Sequence, residues 1–200
     1  MKIAVAGYKG GSGKSTTAIH LAAHFQQRAP TILIDGDPNR SASEWAAPGL
    51  LPFRVEDERK AARSGVARDF EHVILDTEAR PALADLKDLA EDFDLLVVPT
   101  QPDALSMRAL VKTLSALSSI GARFKVLITV CPPLPSRAGE EALADLKGEG
   151  VPVFKAMIPR LAAFPKAALD GVTVREVRDP RSHIGWSAYS AVGEEIARRG

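Results

Sequence analysis

Lys9-Gly10-Gly11-Ser12-Gly13-Lys14-Ser15-Thr16 follows a short apolar run, Ile3–Ala6, and opens an Ala-rich helical stretch, Lys14–Arg28. A glycine-rich turn between a strand and a helix suits phosphate. Glycines let backbone N–H groups curl around an anion, and the helix N-terminus adds its partial positive charge. In that setting Lys14 reaches the β/γ-phosphates and the Ser15 hydroxyl ligates Mg2+. Gly10, Gly11, Ser12, Gly13, Lys14, Ser15 and Thr16 are therefore candidate nucleotide-binding residues. The general pattern G-x-x-x-x-G-K-[ST] asks for glycine where this chain has Tyr8, and a second lysine, Lys9, stands on the loop.

Outward from the loop, short β-branched runs alternate with longer Ala/Leu-rich stretches. The candidate strands are Ile3–Ala6, Thr31–Asp35, His72–Asp76, Leu95–Pro99, Val126–Val130 and Val151–Ile158. The candidate helices are Lys14–Arg28, Arg59–Asp69, Ala82–Glu91, Ala104–Ser119, Glu140–Glu149 and Ile184–Arg199. Near-continuous apolar strands alternating with helices predict an α/β fold, a mostly parallel, twisted sheet covered by helices on both faces; with the glycine-rich loop after its first strand it resembles the phosphate-loop NTPases. Ala46–Arg54 and the proline-rich Cys131–Gly139 read as irregular connections within one domain spanning 1–200.

Composition narrows the classes. At 200 residues, 46% hydrophobic and 26% charged, the chain is neither disordered nor fibrous. A net charge of +1 excludes a polycation built to coat nucleic acid, although the residues from Val151 onward carry an excess of about +3. That excess fits either a solvated surface or a basic face for nucleic-acid phosphates. A single cysteine, Cys131, excludes a disulfide framework and a cysteine-based zinc site. No apolar run approaches the roughly 18–20 residues of a membrane span, and the opening run is too short for a signal peptide. The expectation is a soluble cytoplasmic protein.

Two further segments end apolar strands in carboxylates. Thr31-Ile32-Leu33-Ile34-Asp35-Gly36-Asp37-Pro38 delivers two aspartates to the strand edge where open α/β sheets bind ligands, and a turn or helix-capping role before proline would use the same residues. His72-Val73-Ile74-Leu75-Asp76-Thr77 ends in an Asp suited to hold Mg2+ through water.

With Lys9 included, the loop completes the narrower pattern K-G-G-x-G-K-[ST], the deviant Walker A box, and the chain resembles the ParA/MinD family of ATPases. The resemblance runs from Lys2 to the final helix and implies slow, partner-stimulated, Mg2+-dependent ATP hydrolysis. It implies that Lys9 reaches the phosphates of a partner subunit across an ATP-bridged homodimer, an in-trans cation comparable to an arginine finger. The D-x-D-P segment resembles the family's second box, so that Asp37 orients the attacking water and Asp35 supports the Mg2+ shell. Asp76 is the Walker B candidate. Candidate catalytic residues are thus Lys9, Lys14 and Asp37, and candidate metal residues are Ser15, Asp35 and Asp76.

Glu78-Ala79-Arg80-Pro81 departs from the family's Asp-Thr-Pro-Pro turn, and neither Glu78 nor Arg80 is assigned a role. Val97–Asp103 resembles the segment in which a strand ends in proline and a helix follows, with Asp103 as its N-cap. Ile158-Pro159-Arg160 resembles the late stretch near adenine, with Pro159 against the base and Arg160 there or facing DNA or the partner subunit. His20 and His24, one turn apart, read as a surface or packed pair. Cys131, Trp45 and Trp186 read as structural residues.

The chain starts on its first strand and ends on its last helix, so the expectation is a small ParA type with neither an operator-binding module nor a membrane-targeting tail. The resemblance implies a nucleoid-associated ATP homodimer that binds DNA without sequence preference. A ParB-like or McdB-like adaptor would link it to a plasmid, chromosome or carboxysome cargo. The alternative is a nucleotide-gated module that binds a protein or membrane adaptor and no DNA.

Overall fold

The computed structural model describes residues 1–7, 9–79 and 81–198. Tyr8, Arg80 and Arg199, the last residue of the predicted C-terminal helix, lie outside the described residues. Six strands form one sheet: β1 (Lys2–Gly7), β2 (Thr31–Gly36), β3 (Arg54–Asp57), β4 (His72–Ala79), β5 (Leu95–Thr100) and β6 (Phe124–Ile128). Their order is β3-β2-β4-β1-β5-β6, and every pair is parallel. The helices are α1 (Lys14–Gln26), α2 (Ser41–Ala46), α3 (Glu58–Ser64), α4 (Leu83–Asp92), α5 (Ala104–Ser119), α6 (Ala138–Gly148), α7 (Ala163–Asp170) and α8 (Ser182–Ala197).

Alternate residues along a strand face opposite sides of a sheet. Ile3, Val5, Leu33, Ile74, Val97 and Leu127 accordingly enter one core with Ile19 and Phe25 of α1 and Tyr189, Val192 and Ile196 of α8. Ala4, Ile32, Leu75, Leu96, Val98 and Ile128 enter a second core with Leu86 of α4, Leu117 of α5 and Leu146 of α6. Burial of the strands from both sides explains their near-continuous apolar sequences. No described helix is long and apolar enough to cross a membrane.

The structure corrects several predicted elements, among them the strand predicted over Val126–Val130, which runs Phe124–Ile128 and ends before the left-handed Val130. Edge strand β3 begins at the last residue of the stretch read as irregular; Arg-Val-Glu-Asp has no apolar run, and its one buried side chain, Glu56, is paired with Arg54 and Lys60. Val151–Ile158 is not a ladder strand. It runs beside β6 through the isolated bridge Val126–Val153: Pro152 has no N–H to donate before that bridge, and after Phe154 the next bond to β6 comes from Ile158 N. The helix predicted over Arg59–Asp69 stops at Ser64, where Gly65 takes φ 66° and caps it, and a 3-10 turn follows. Short helices α2 and α7 lie where the sequence reading assigned no helix.

Register positions the site. Asp57, Asp35 and Asp76 lie level across β3, β2 and β4, and the row continues through Val5 of β1 and Val97 of β5 to Lys125 of β6. The loop after β1 therefore opens beside two buried carboxylates at the carboxyl edge of the sheet, the position at which open α/β sheets take their ligands.

Candidate nucleotide site

Gly13 has φ 87° and ψ 26° and Gly11 has φ 75°, a left-handed backbone that side-chain-bearing residues resist. A Cβ on Gly13 would meet Thr129 at an ordinary 3.8 Å, so conformation rather than space calls for glycine there. Gly13 is also the N-cap of α1 and offers no side chain to the first turn. The orphan N–H groups of that turn are left for an anion, with Lys14 buried at the start of the helix and Ser15 and Thr16 half-buried beside it. The loop is tied to the sheet by two residues that sequence reading did not single out. The Thr129 hydroxyl donates to the Ser12 carbonyl at 2.8 Å, and Gln101 Nε2 donates to the Gly11 carbonyl at 2.7 Å.

Asp76 is fully buried, and neither carboxylate oxygen has a hydrogen-bond partner. Burial pushes its pKa up to about 7. The nearby Ser15 hydroxyl and Lys14 ammonium pull it down, while Asp35 and Asp37 push it further up. A buried carboxylate whose oxygens make no hydrogen bond of good geometry, beside the Ser15 hydroxyl and the Asp35 carboxylate, fits a divalent cation. Ser15 and Asp76 would hold Mg2+, with Asp35 alongside. Among the described residues no group of three or more His, Cys, Asp or Glu side chains could cage a metal.

Asp35 is buried, and its carboxylate is already engaged. One oxygen accepts from Ser43 N at 2.7 Å and Ser43 Oγ at 2.6 Å, and the other from Asp37 N at 3.2 Å. It thereby pins the start of α2 and the turn that carries Asp37. Asp37 is half-buried, and its Oδ1 accepts from Asn39 N and Asn39 Nδ2, each at 2.9 Å. The turn geometry anticipated before Pro38 is therefore present, in the same crevice as Asp76. Ser43 carried no sequence signal because its partner lies eight residues away, across a turn.

Lys9 lies against its own subunit: Nζ is 2.6 Å from Ser106 Oγ and 3.4 Å from Asp103 Oδ2, with 35% of the side chain exposed. Asp103 caps α5 as expected, accepting from Leu105 N at 3.1 Å and Ser106 N at 3.0 Å. Ser106 hydrogen bonds and the Lys9 charge hold its carboxyl below the ordinary range. Pro159 bridges Cys131 just beyond β6, and Arg160 N donates to the Cys131 carbonyl at 2.7 Å, so both residues stand at the same end of the sheet as the loop.

The remaining singled-out residues are structural. His20 Nδ1 lies 2.6 Å from the Thr16 carbonyl, while Nε2 accepts from Val174 N at 2.9 Å; these partners place its proton on Nδ1. Burial lowers its pKa to about 4, and its ring stacks on Tyr189 at 4.8 Å. His24 packs against Gly193. Trp45 Nε1 donates to the Val172 carbonyl at 2.8 Å. Cys131 is half-buried, and burial pushes its thiol up to about 11.

Residues 3–174 match the family described as the CobQ/CobB/MinD/ParA nucleotide binding domain. The maintenance of carboxysome distribution protein A of Gloeobacter kilaueensis is 33% identical over 202 residues, covering 98% of this chain and 94% of that protein. Protein ParA of Rhizobium radiobacter is 26% identical, covering 94% of this chain and 91% of its own length. Among solved structures, the MinD cell division protein of Aquifex aeolicus superposes with a TM-score of 0.76 at 14% identity, covering 98% of this chain and 96% of that one, a likeness of fold.

Proposed function

The chain belongs to the CobQ/CobB/MinD/ParA nucleotide-binding family, and on that premise we propose that it is a dimerising positioning ATPase. As an ATP-bound homodimer it binds nucleoid DNA without sequence preference and distributes a cargo through an adaptor protein. The names of its relatives point to a carboxysome-like body or a plasmid as that cargo.

One observation carries this reading: the loop holds two lysines in different surroundings. Lys14 is buried at the start of α1, where a single cation suffices for the phosphates of its own nucleotide. Lys9 stands on the rim, one-third exposed, with a hydrogen bond to Ser106 and an ion pair with the half-exposed Asp103, which have each other as partners without it. Such a pair contributes about 1 kcal/mol or less, so little is lost when Lys9 turns outward to a partner's phosphates. There it offsets repulsion between two nucleotides brought face to face.

Within one subunit the loop N–H groups and Lys14 bind the phosphates, Asp37 orients the attacking water, and Asp35 fixes the turn that aims Asp37. Mg2+, held at Ser15 and Asp76, supplies charge neutralisation on the phosphates when bound. Pro159 offers an apolar wall to the base. Arg175, Arg178 and Arg181, exposed between α7 and α8, form the basic surface for DNA phosphates.

The test is binding to a duplex of unrelated sequence, with and without ATP, across a salt series. ATP-dependent binding that weakens steeply with salt supports the proposal. ATP-dependent dimerisation without DNA binding at low salt would favour the nucleotide-gated adaptor module instead.

A further inference from the structure

A phosphate loop can gather its N–H groups on an anion only if its carbonyls face away, and each buried carbonyl then needs a donor of its own. Three consecutive carbonyls here have one. Gly13 accepts from Thr17 N at 2.9 Å, the first bond of α1. Ser12 accepts from the Thr129 hydroxyl and Gly11 from the Gln101 amide, donors 117 and 90 residues away that stand just beyond the ends of β6 and β5.

We propose that Thr129 and Gln101 are positioning residues for the nucleotide: a two-point clamp that holds the loop in its phosphate-binding shape before ATP arrives. The proposal rests on the nucleotide-binding reading above and assigns it residues that lie outside the loop motif.

Thr129 is 1% exposed, so no water can replace its hydroxyl. The same oxygen lies 3.1 Å from the Thr100 carbonyl, which ties the end of β5 into the contact. The next residue, Val130, has φ 52°, a left-handed conformation costly for a β-branched side chain. Strain of this kind persists only where the surroundings over-determine it. Here it is held on both sides, by Thr129 N to the Thr100 carbonyl at 2.7 Å and by Cys131 N to the Ile158 carbonyl at 2.9 Å. The bend turns the chain so that Thr129 meets the phosphate loop while Cys131 bridges Pro159. One short turn thus joins the phosphate end of the site to the wall proposed for the base. Gln101 is half-buried, and its side of the clamp is the more replaceable by water.

Thr129→Val keeps the shape and removes the donor; Thr129→Ser keeps the donor; Gln101→Ala tests the more exposed point without touching the interior. The readouts are affinity for a fluorescent ADP analogue, amide hydrogen exchange of residues 9–16 without nucleotide, and the melting temperature. Thr129→Val should lose about tenfold in affinity, equivalent to about 1.4 kcal/mol, with faster loop exchange and unchanged exchange in β1 and β5. Thr129→Ser should return to within about twofold of wild type, and Gln101→Ala should lose about threefold. A purely structural threonine would lower the melting temperature without this selective change in the loop. The clamp is overturned if wild type binds the analogue and both Thr129→Val and Gln101→Ala match it in affinity and loop exchange. A wild-type protein that binds no nucleotide would instead overturn the function proposed above, while loop exchange would still test the clamp.

Discussion

Replacing Asp76 by asparagine should make the nucleotide-free protein more stable while removing its Mg2+-dependent affinity for ATP. The carboxylate is fully buried without a hydrogen-bond partner, and its pKa is raised from 3.8 to about 7, chiefly by burial. A rise of that size corresponds to a penalty of about 4 kcal/mol on the charged form. The sign follows from proton linkage: the folded state binds this proton more tightly than the unfolded state, so the penalty is absent below about pH 4. It grows as pH rises towards 7 and is complete above it. Asparagine keeps the shape and drops the charge at a cost of about 1–2 kcal/mol for burying an amide, which leaves a net gain of about 2–3 kcal/mol at pH 8. Urea unfolding in EDTA without nucleotide, at pH 5 and pH 8, should show the gain at pH 8 and little of it at pH 5. With Mg2+-ATP at a hundred times its Kd, wild type should recover about 2.7 kcal/mol and the variant nothing comparable. A variant no more stable than wild type at pH 8 in EDTA would mean that the carboxylate has a partner in the free protein, and the argument for a built cation site would fall.

Lys14→Gln should abolish tight ATP binding, because the loop loses its buried cation; calorimetric affinity within about threefold of wild type, about 0.65 kcal/mol, would contradict the phosphate-loop assignment. Asp37→Ala should bind ATP and fail to turn it over, accumulating as an ATP-bound dimer on sizing chromatography, and normal turnover would move the water-orienting role elsewhere. Lys9→Ala removes a partly exposed pair with Asp103 and a hydrogen bond to Ser106, whose hydroxyl keeps Asp103 as a partner, so its melting temperature should stay close to wild type. Light scattering with a slowly hydrolysed ATP analogue should find this variant monomeric, and a dimer would confine Lys9 to its own subunit.

The elements that read well from sequence were those with strong local signals. β1, β2, β4, β5 and β6 are apolar runs buried on both faces, and α5 starts on an aspartate whose carboxylate caps it. The elements that read poorly had contrary local signals. β3 is polar and lies at the sheet edge, and Val151–Ile158 is apolar and β-branched but is interrupted by a proline that cannot donate. Gly65 was a legible stop that the helix pattern around it obscured.

The glycine-rich loop, its second lysine and the arrival of Asp35 and Asp76 at strand ends are legible in the chain alone, because each rests on adjacent residues or on the periodicity of one strand. What those groups face depends on the assembled sheet. That Asp76 stands buried between Asp35 and the loop, that Lys9 rests on Asp103 and Ser106, and that Thr129 and Gln101 bond to the loop are facts of strand order and register. Side-chain hydrogen bonds act over about 3 Å, and where chain segments 90 or more residues apart come within that reach is set by how the sheet is assembled, which no local pattern records.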